Sequence, residues 1–303
     1  MPLHPAAPDD LGGLLDAFEQ VVQASVDLGW ACREEDFDKP TENPGWTVKD
    51  HFIHVVATEK AFAALPREPL NPPNPSDVRS QFDRIVDVEV GARRQWTGRS
   101  VVSELADFHQ HRMSQLRSLD LTLGTEIAGF FGEHTTFGDQ LRSQIRDTWV
   151  HEQDLRTALD RPGDLDSPAA AVFTSTIIDA LPLIAVRYAG IEPGHGILLD
   201  VTGPVLARGG ARVIEDEHGQ PRGEELFSGQ DRPEGEEPLD VTSVQLTTEA
   251  LTRRAAGRRA TDEIHCTVSG DADTARRVLD ALDVLAPSRG SAGVPQAGDS
   301  LPT

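Results

Sequence analysis

Positive charge is scarce in this chain. Its 303 residues carry 28 Lys and Arg against 50 Asp and Glu, a formal charge of −22. Lysine occurs only at Lys39, Lys49 and Lys60, so arginine supplies nearly all the cations. A chain of this balance has no basic face for a polyanion, and nucleic acid is not an expected partner. Cysteine is equally sparse. Cys32 and Cys266 lie far apart and form no C-x-x-C. They read as buried thiols of a reducing cytoplasm rather than as a disulfide or a nucleophile. No basic stretch followed by an apolar core opens the chain, so no signal peptide is expected. Long apolar runs are missing too. The best stretch, 169–186, is interrupted by Thr174, Ser175, Thr176, Asp179 and Pro182. No internal repeat stands out. These absences predict a soluble cytoplasmic protein with no membrane partner.

What remains is enough for two modest domains, each with its own core. Leu11, Leu14, Leu15, Phe18, Val21, Val22 and Val26 recur at helical spacing and predict a first helix from about Asp9 to Trp30. Asn43-Pro44-Gly45-Trp46 is a turn signal. Thr47-Val48-Lys49-Asp50 then matches a capping box with Asp in place of Glu, opening a second helix. Pro66 to Pro75 excludes helix. A third helix is expected from Ser76 or Asp77 toward Trp96, a fourth over Ser100 to Leu119, and a fifth from Asp139 to Leu159. Gly124 to Gly138 reads as loop. The half spanning 9–165 is thus a helical bundle.

After Ser167 the pattern changes. A helix from Ser167 to Tyr188 bridges to short β-like runs at Gly196–Thr202, Ala211–Glu215 and Leu239–Thr247. Glu215 to Pro238 is acidic and rich in Gly and Pro, as a mobile surface loop would be. Thr247 or Thr248 caps a helix to Ala256, Glu263–Ser269 reads as a strand, and Asp271 starts a last helix. The second domain thus covers 167–287, and the polar tail, 288–303, is expected to be disordered.

Two stretches about ninety residues apart carry the chemistry. The first ends in His51-Phe52-Ile53-His54; the second contains Asp147 and His151, four apart on a predicted helix and so on one face of it. With His54 from a second helix, two imidazoles and one carboxylate converge in the bundle core, a donor set for a divalent metal such as Zn²⁺ that leaves a position open. The same residues also fit a plainer reading, with His54 and His151 as partly buried histidines and Asp147 as partner of Arg142 or Arg146. His51 is a weaker candidate ligand. His109 and His111, two apart, read as surface residues. His134 stands in a glycine-rich loop where it could line a pocket. Trp46 and Trp149 flank the two stretches and read as core packing.

Pro44-Gly45-Trp46-Thr47-Val48-Lys49-Asp50, followed by His54 and Glu59, resembles the N-terminal motif of the mycothiol-dependent maleylpyruvate isomerase family. Trp149-Val150-His151-Glu152-Gln153-Asp154-Leu155-Arg156 resembles its second motif. Leu251 to Arg258, then Ser269-Gly270-Asp271, is similar to the end of its small domain. The resemblance covers about residues 9 to 287. It implies an α+β fold: a DinB-like, metal-binding four-helix bundle followed by a small α/β, sterol-carrier-like domain. It further implies His54, Asp147 and His151 as metal ligands, with mycothiol as thiol co-substrate. The chain departs from the family in having Asp147 where Glu is usual, one methylene shorter. Glu152 is the reserve carboxylate, although it points about 100° away from His151 on a helix.

The chemistry so implied is that of a thiolate stabilised by a metal. In an isomerase it adds to an activated double bond, rotation follows, and the thiol leaves. In an S-transferase it stays attached to the electrophile. Arg84, Arg156 and Arg258 are candidate clamps for a dicarboxylate substrate, since the guanidinium fork pairs with a carboxylate bidentately; surface ion pairing is their alternative role. Asp154 is a candidate to orient an imidazole, as is Glu152. A different class of function, a non-catalytic small-molecule binding protein with a degenerate metal site, fits the same sequence.

Overall fold

The computed structural model describes residues 5–63, 91–129, 134–227 and 239–286. Its N-terminal half is helical. Helix α1 runs Leu11–Trp30, its N-terminus capped by the Asp10 carboxylate, which accepts from the Gly13 amide at 2.7 Å. Helix α2 runs Val48–Phe62. Thr47 and Asp50 close the capping box: the Asp50 amide donates to Thr47 Oγ1 at 3.3 Å and the Thr47 amide to Asp50 Oδ2 at 2.9 Å. Helices α3 (Gly98–Ser118) and α4 (Phe137–Ala158) complete a four-helix bundle in which α1 and α2 each pack on both α3 and α4. Leu14, Phe18, Val22, Phe52, Leu105, Ile145 and Trp149 are completely or almost completely buried in it. The expected helix from Ser76 to Trp96 falls mostly outside the described residues; 91–93 are helical.

The stretch from Gly124 to Gly138 departs from the loop expected there. Strands β1 (Glu126–Ala128) and β2 (His134–Thr136) pair antiparallel, with Ile127 opposite Thr135. Ile127 and Ala128 are buried, which anchors so short a hairpin. Thr136 then caps α4 by accepting from the Asp139 amide at 3.1 Å, so the helix begins two residues before Asp139.

Helix α5 (Pro168–Leu183) leads into the C-terminal half. Ser167 caps it, Pro168 takes the first helical position, and Pro182 removes a backbone donor near its end, where the helix opens into a π turn at Ile184–Tyr188. Together with that turn, Pro168–Tyr188 is long and apolar enough to cross a bilayer by length and composition, with a mean hydropathy of 1.9. Here it packs against α4 and β4 instead, and Phe173 meets Trp149 with ring centroids 5.3 Å apart.

A five-stranded sheet follows in the order β5-β4-β3-β6-β7, comprising β3 (His195–Thr202), β4 (Leu206–Glu215), β5 (Pro221–Glu225), β6 (Asp240–Leu246) and β7 (Cys266–Ser269). β3 and β6 are parallel; every other neighbouring pair is antiparallel. Helices α6 (Thr248–Ala255) and α7 (Ala272–Ala281) complete this half. The molecule is therefore α+β, with a helical N-terminal region and a C-terminal sheet.

Two corrections concern this sheet, and both involve glycine. β4 begins at Leu206 rather than Ala211, and β5 occupies part of the expected Glu215–Pro238 loop, whose 228–238 segment lies outside the described residues. Glycine lowers strand propensity, yet here it lets α5 lie directly on the sheet. A Cβ on Gly209 would collide with Ile178, and one on Gly223 with the Pro182 carbonyl. The expected disordered tail also lies outside the described residues.

Gly223→Ala should accordingly destabilise the chain by about 1–3 kcal/mol, because the Pro182 backbone has no rotamer to yield. Gly124→Ala, whose Cβ meets nothing within 4 Å, should stay within about 0.5 kcal/mol of wild type. Denaturant unfolding of the two full-length variants measures the difference.

Candidate metal centre

The site lies where α2 faces α4. His51, His54 and Thr58 recur at i, i+3 and i+7 of α2 and share one face. Asp147, His151 and Asp154 stand at i, i+4 and i+7 of α4 and likewise share one face. Packing the two faces together brings three imidazoles and two carboxylates into one buried cluster. Its outer part consists of His54, Asp147 and His151. His54 Nε2 is 3.1 Å from Asp147 Oδ2, and His151 Nε2 is 3.6 Å from Asp147 Oδ1. One potential ligand atom from each of the three lies within 4.8 Å of the others. The two rings are fully buried, whereas the Asp147 carboxylate is one-fifth exposed and forms the solvent side of the group. The shorter Asp side chain thus touches both imidazoles directly. Arg142, a possible partner for Asp147, pairs with Asp139 instead at 3.7 Å.

A second group shares His151. His51 Nδ1 and His151 Nδ1 are 2.9 Å apart, and Asp154 Oδ2 lies 3.9 Å from the first and 3.6 Å from the second. These three also meet the spacing for a metal. Here the hydrogen bonds favour a supporting role. We assign the Thr41 hydroxyl proton to the Trp46 carbonyl, 3.2 Å away, so that Thr41 Oγ1 accepts from His51 Nε2–H at 2.8 Å. His51 Nδ1 is then a lone pair that accepts from His151 Nδ1–H. The assignment leaves His151 Nε2, a buried nitrogen with no hydrogen-bond partner among the described residues, facing Asp147.

Burial and charge tune the cluster further. Burial drives the His51 pKa well below the usual imidazole value and, aided by His151, lowers that of His54; both are neutral and able to act as ligands. His151 is displaced upward: burial opposes a charge there, but Asp147 outweighs it. Burial likewise opposes ionisation of Asp147, yet His54 and then His151 hold its carboxyl far below the usual range. The outer group therefore attracts positive charge toward His151 Nε2. An orphaned imidazole nitrogen, a neutral imidazole and a carboxylate all fit a divalent cation.

Trp46 covers the rings from the loop before α2. Its indole stacks on His151 with centroids 5.5 Å apart and 15° between planes, and lies 5.1 Å from both His51 and His54. The loop is a tight turn: the Thr41 amide donates to the Trp46 carbonyl at 3.0 Å, the Trp46 amide to the Asn43 carbonyl at 3.1 Å, and Gly45 adopts φ 80°, a conformation that glycine tolerates. Trp46 thus packs against the imidazoles, whereas Trp149 is pure core. His109, expected at the surface, is buried beside Glu59 (Nδ1–Oε2 3.9 Å) and packs edge-on against Phe18; His111 and His134 are exposed.

The remaining predicted residues divide sharply. Asp154 is fully buried between the imidazoles and the C-terminal half, accepting from Arg258 at 2.8, 3.0 and 3.1 Å and from Arg253 Nη1 at 3.0 Å. Burial resists its charge, but Arg258 outweighs burial and holds the carboxyl well below its ordinary value. Arg258 is itself fully buried. Glu152 turns away from the site; Arg156 Nε donates to it at 2.6 Å and Arg156 Nη1 to the Arg161 carbonyl at 3.3 Å. Burial and Asp164 together push Glu152 up to about 9, against the pull of Arg156. Arg84 lies outside the described residues. Thr41 carried no motif that singled it out, and Arg253 lay within the Leu251–Arg258 stretch without being assigned a role of its own.

Because the Glu152 carboxyl is raised from 4.5 to about 9 in the folded state, the native chain binds more protons than the unfolded one between those values. Stability contributed by this group is therefore present at low pH and lost as pH rises toward 9, at up to roughly 1.4 kcal/mol per pH unit. Glu152→Gln should flatten that slope in metal-free protein, as read from denaturant unfolding at pH 5, 7 and 9.

Residues 18–156 match the family described as the mycothiol maleylpyruvate isomerase N-terminal domain. Among solved structures, the chain is similar to the crystal structure of the mycothiol-dependent maleylpyruvate isomerase at 16% identity and a TM-score of 0.53, covering 86% of this chain and 94% of that one. A histidine-to-alanine mutant of the same isomerase matches at 15% identity and a TM-score of 0.52, with the same coverage. No curated protein matches the sequence. Residues 18–156 thus carry the N-terminal domain of the mycothiol-dependent maleylpyruvate isomerase family, and the fold follows the isomerase into the C-terminal sheet.

Proposed function

We propose that this chain is a metal-dependent enzyme that uses a low-molecular-weight thiol, mycothiol or a close relative, to isomerise a small activated alkene or to transfer the thiol to an electrophile. The observation that carries this reading is the convergence of His54, Asp147 and His151, with His151 Nε2 buried, facing Asp147 and without a hydrogen-bond partner among the described residues. Those three residues would hold the ion, and two imidazoles with one carboxylate suit Zn²⁺. When bound, such an ion stabilises a coordinated thiol as its thiolate at neutral pH.

The residues divide the work by position. Asp147, the partly exposed member, borders the route by which a thiol and a substrate reach the site. Trp46 shields the rings from water on the loop side. His51, through Thr41, keeps the proton of His151 on Nδ1 and leaves Nε2 as a lone pair. Arg156 and Arg258 are engaged by Glu152 and Asp154, which leaves Arg84, outside the described residues, as the remaining sequence candidate for a substrate carboxylate. The partners so inferred are small molecules, in a cytoplasm that keeps thiols reduced.

Wild-type protein purified without added metal or a histidine tag should carry close to one zinc per chain by mass spectrometry. His54→Ala and His151→Ala should each lose it, together with mycothiol-dependent turnover of maleylpyruvate or of an electrophile that accepts the thiol. Wild type that takes up no metal even after dialysis against zinc overturns the reading and leaves a small-molecule binding protein as the account of the fold.

A further inference from the structure

We infer that the C-terminal sheet half is a working part of the metal centre, because Arg258 and Arg253 act through Asp154 to position His151. The inference rests on the proposed reading of His54, Asp147 and His151 as ligands. Arg258 and Arg253 stand just after and within α6, about a hundred residues from α4 in sequence, and both reach Asp154 in the interior. Arg258 spans the two carboxylate oxygens, donating from Nε and Nη2, which fixes the plane of the carboxylate as a lysine could not. Arg253 Nη1 holds Oδ1, while its Nη2 donates to the Gln153 carbonyl at 2.7 Å and also contacts Thr157, so α4 is gripped one turn beyond His151. Asp154 Oδ2, which also accepts from Arg258, stands 3.6 Å from His151 Nδ1, on the ring edge opposite the metal-facing Nε2.

The same arginine run steadies the other side of the imidazoles. Arg259 donates to Glu42 at 2.8 Å and Arg253 lies 3.5 Å from it. Glu42 sits between Thr41 and Trp46 in the turn that supports His51 and covers His151. Two carboxylates of the helical half thus meet three arginines of the sheet half around one ring. The His151 Nδ1–H is donated to His51, so Asp154 acts on the ring as a fixed charge 3.6 Å behind it, and removing support behind a ligating histidine costs about tenfold or more in metal affinity. Arg258 and Arg253 are therefore positioning residues, and Asp154 is the group through which they act.

Arg254 supplies the comparison. It lies on the same helix and is buried to a similar degree, yet it bonds to the Asp280 carbonyl and pairs with Asp283, within the sheet half alone. The experiment is zinc affinity by competition with a chromophoric chelator, alongside the thermal midpoint of the metal-free protein, for full-length wild type, Arg258→Lys and Arg254→Lys. The expected result is a loss of zinc affinity of about tenfold or more in Arg258→Lys, with Arg254→Lys binding as wild type whatever its thermal midpoint. Arg253→Lys takes the place of Arg258→Lys if the latter does not fold, with the same expectation. Wild-type affinity in the Asp154-facing variant overturns the inference alone, as does an equal loss in Arg254→Lys. Wild type without zinc affinity overturns the proposed metal reading and this inference with it.

Discussion

The ionised carboxylate of Asp154 is the constraint around which the molecule is organised. It has no exposed surface, and an isolated charge there would be prohibitively costly. Two guanidinium groups from the other half of the chain supply the compensation, with bonds between 2.8 and 3.1 Å. A buried charge so satisfied tolerates little displacement, since breaking one partner leaves the others uncompensated. This contact therefore ties α4 to the segment Arg253–Arg258 of the sheet half close to the level of His151.

Outward from Asp154, polarity and exposure change in order. The first layer is the His51–His151 contact, closed from water and linked by Thr41 to the turn that carries Trp46. The next is the pair of imidazoles, His54 and His151, whose ring centroids are 4.4 Å apart. Asp147 comes last and alone in this series keeps some contact with solvent. A cluster dry on the inside and wet at one carboxylate keeps its electrostatics strong while leaving one approach open. The fold builds this with two helix faces of three residues each, and the sheet half secures it from behind.

Legibility varied with the range of the interaction. The stripe of α1, the Thr47–Asp50 capping box and the i, i+4 pair of Asp147 and His151 depend on neighbours within a turn or two, and spacing alone displays them. The hairpin at Glu126–Thr136 escaped because three-residue strands have no readable period. β4 and β5 escaped for another reason: Gly209, Gly210 and Gly223 suppress the strand signal, while Gly209 and Gly223 allow α5 to approach the backbone. His109 looked like a surface residue, two places from His111, because spacing shows which residues share a face but not what covers that face. Asp154 was visible as a carboxylate three residues after His151; its partners were not.

By itself, then, the sequence determined most of the described helices to within a few residues, the Thr47–Asp50 cap, the acidic and lysine-poor composition, and the residue types that face the centre of the bundle. These follow from propensity, periodicity and hydrogen bonds between near neighbours, which act before the chain is compact. Only the tertiary structure decided that Arg258 serves Asp154, that Trp46 lies on the imidazoles, and that Glu152 turns aside with its proton held to about pH 9. Each of those outcomes requires water to be excluded from groups far apart in sequence. Low-dielectric surroundings make their pairings strong, and only the packed fold creates such surroundings.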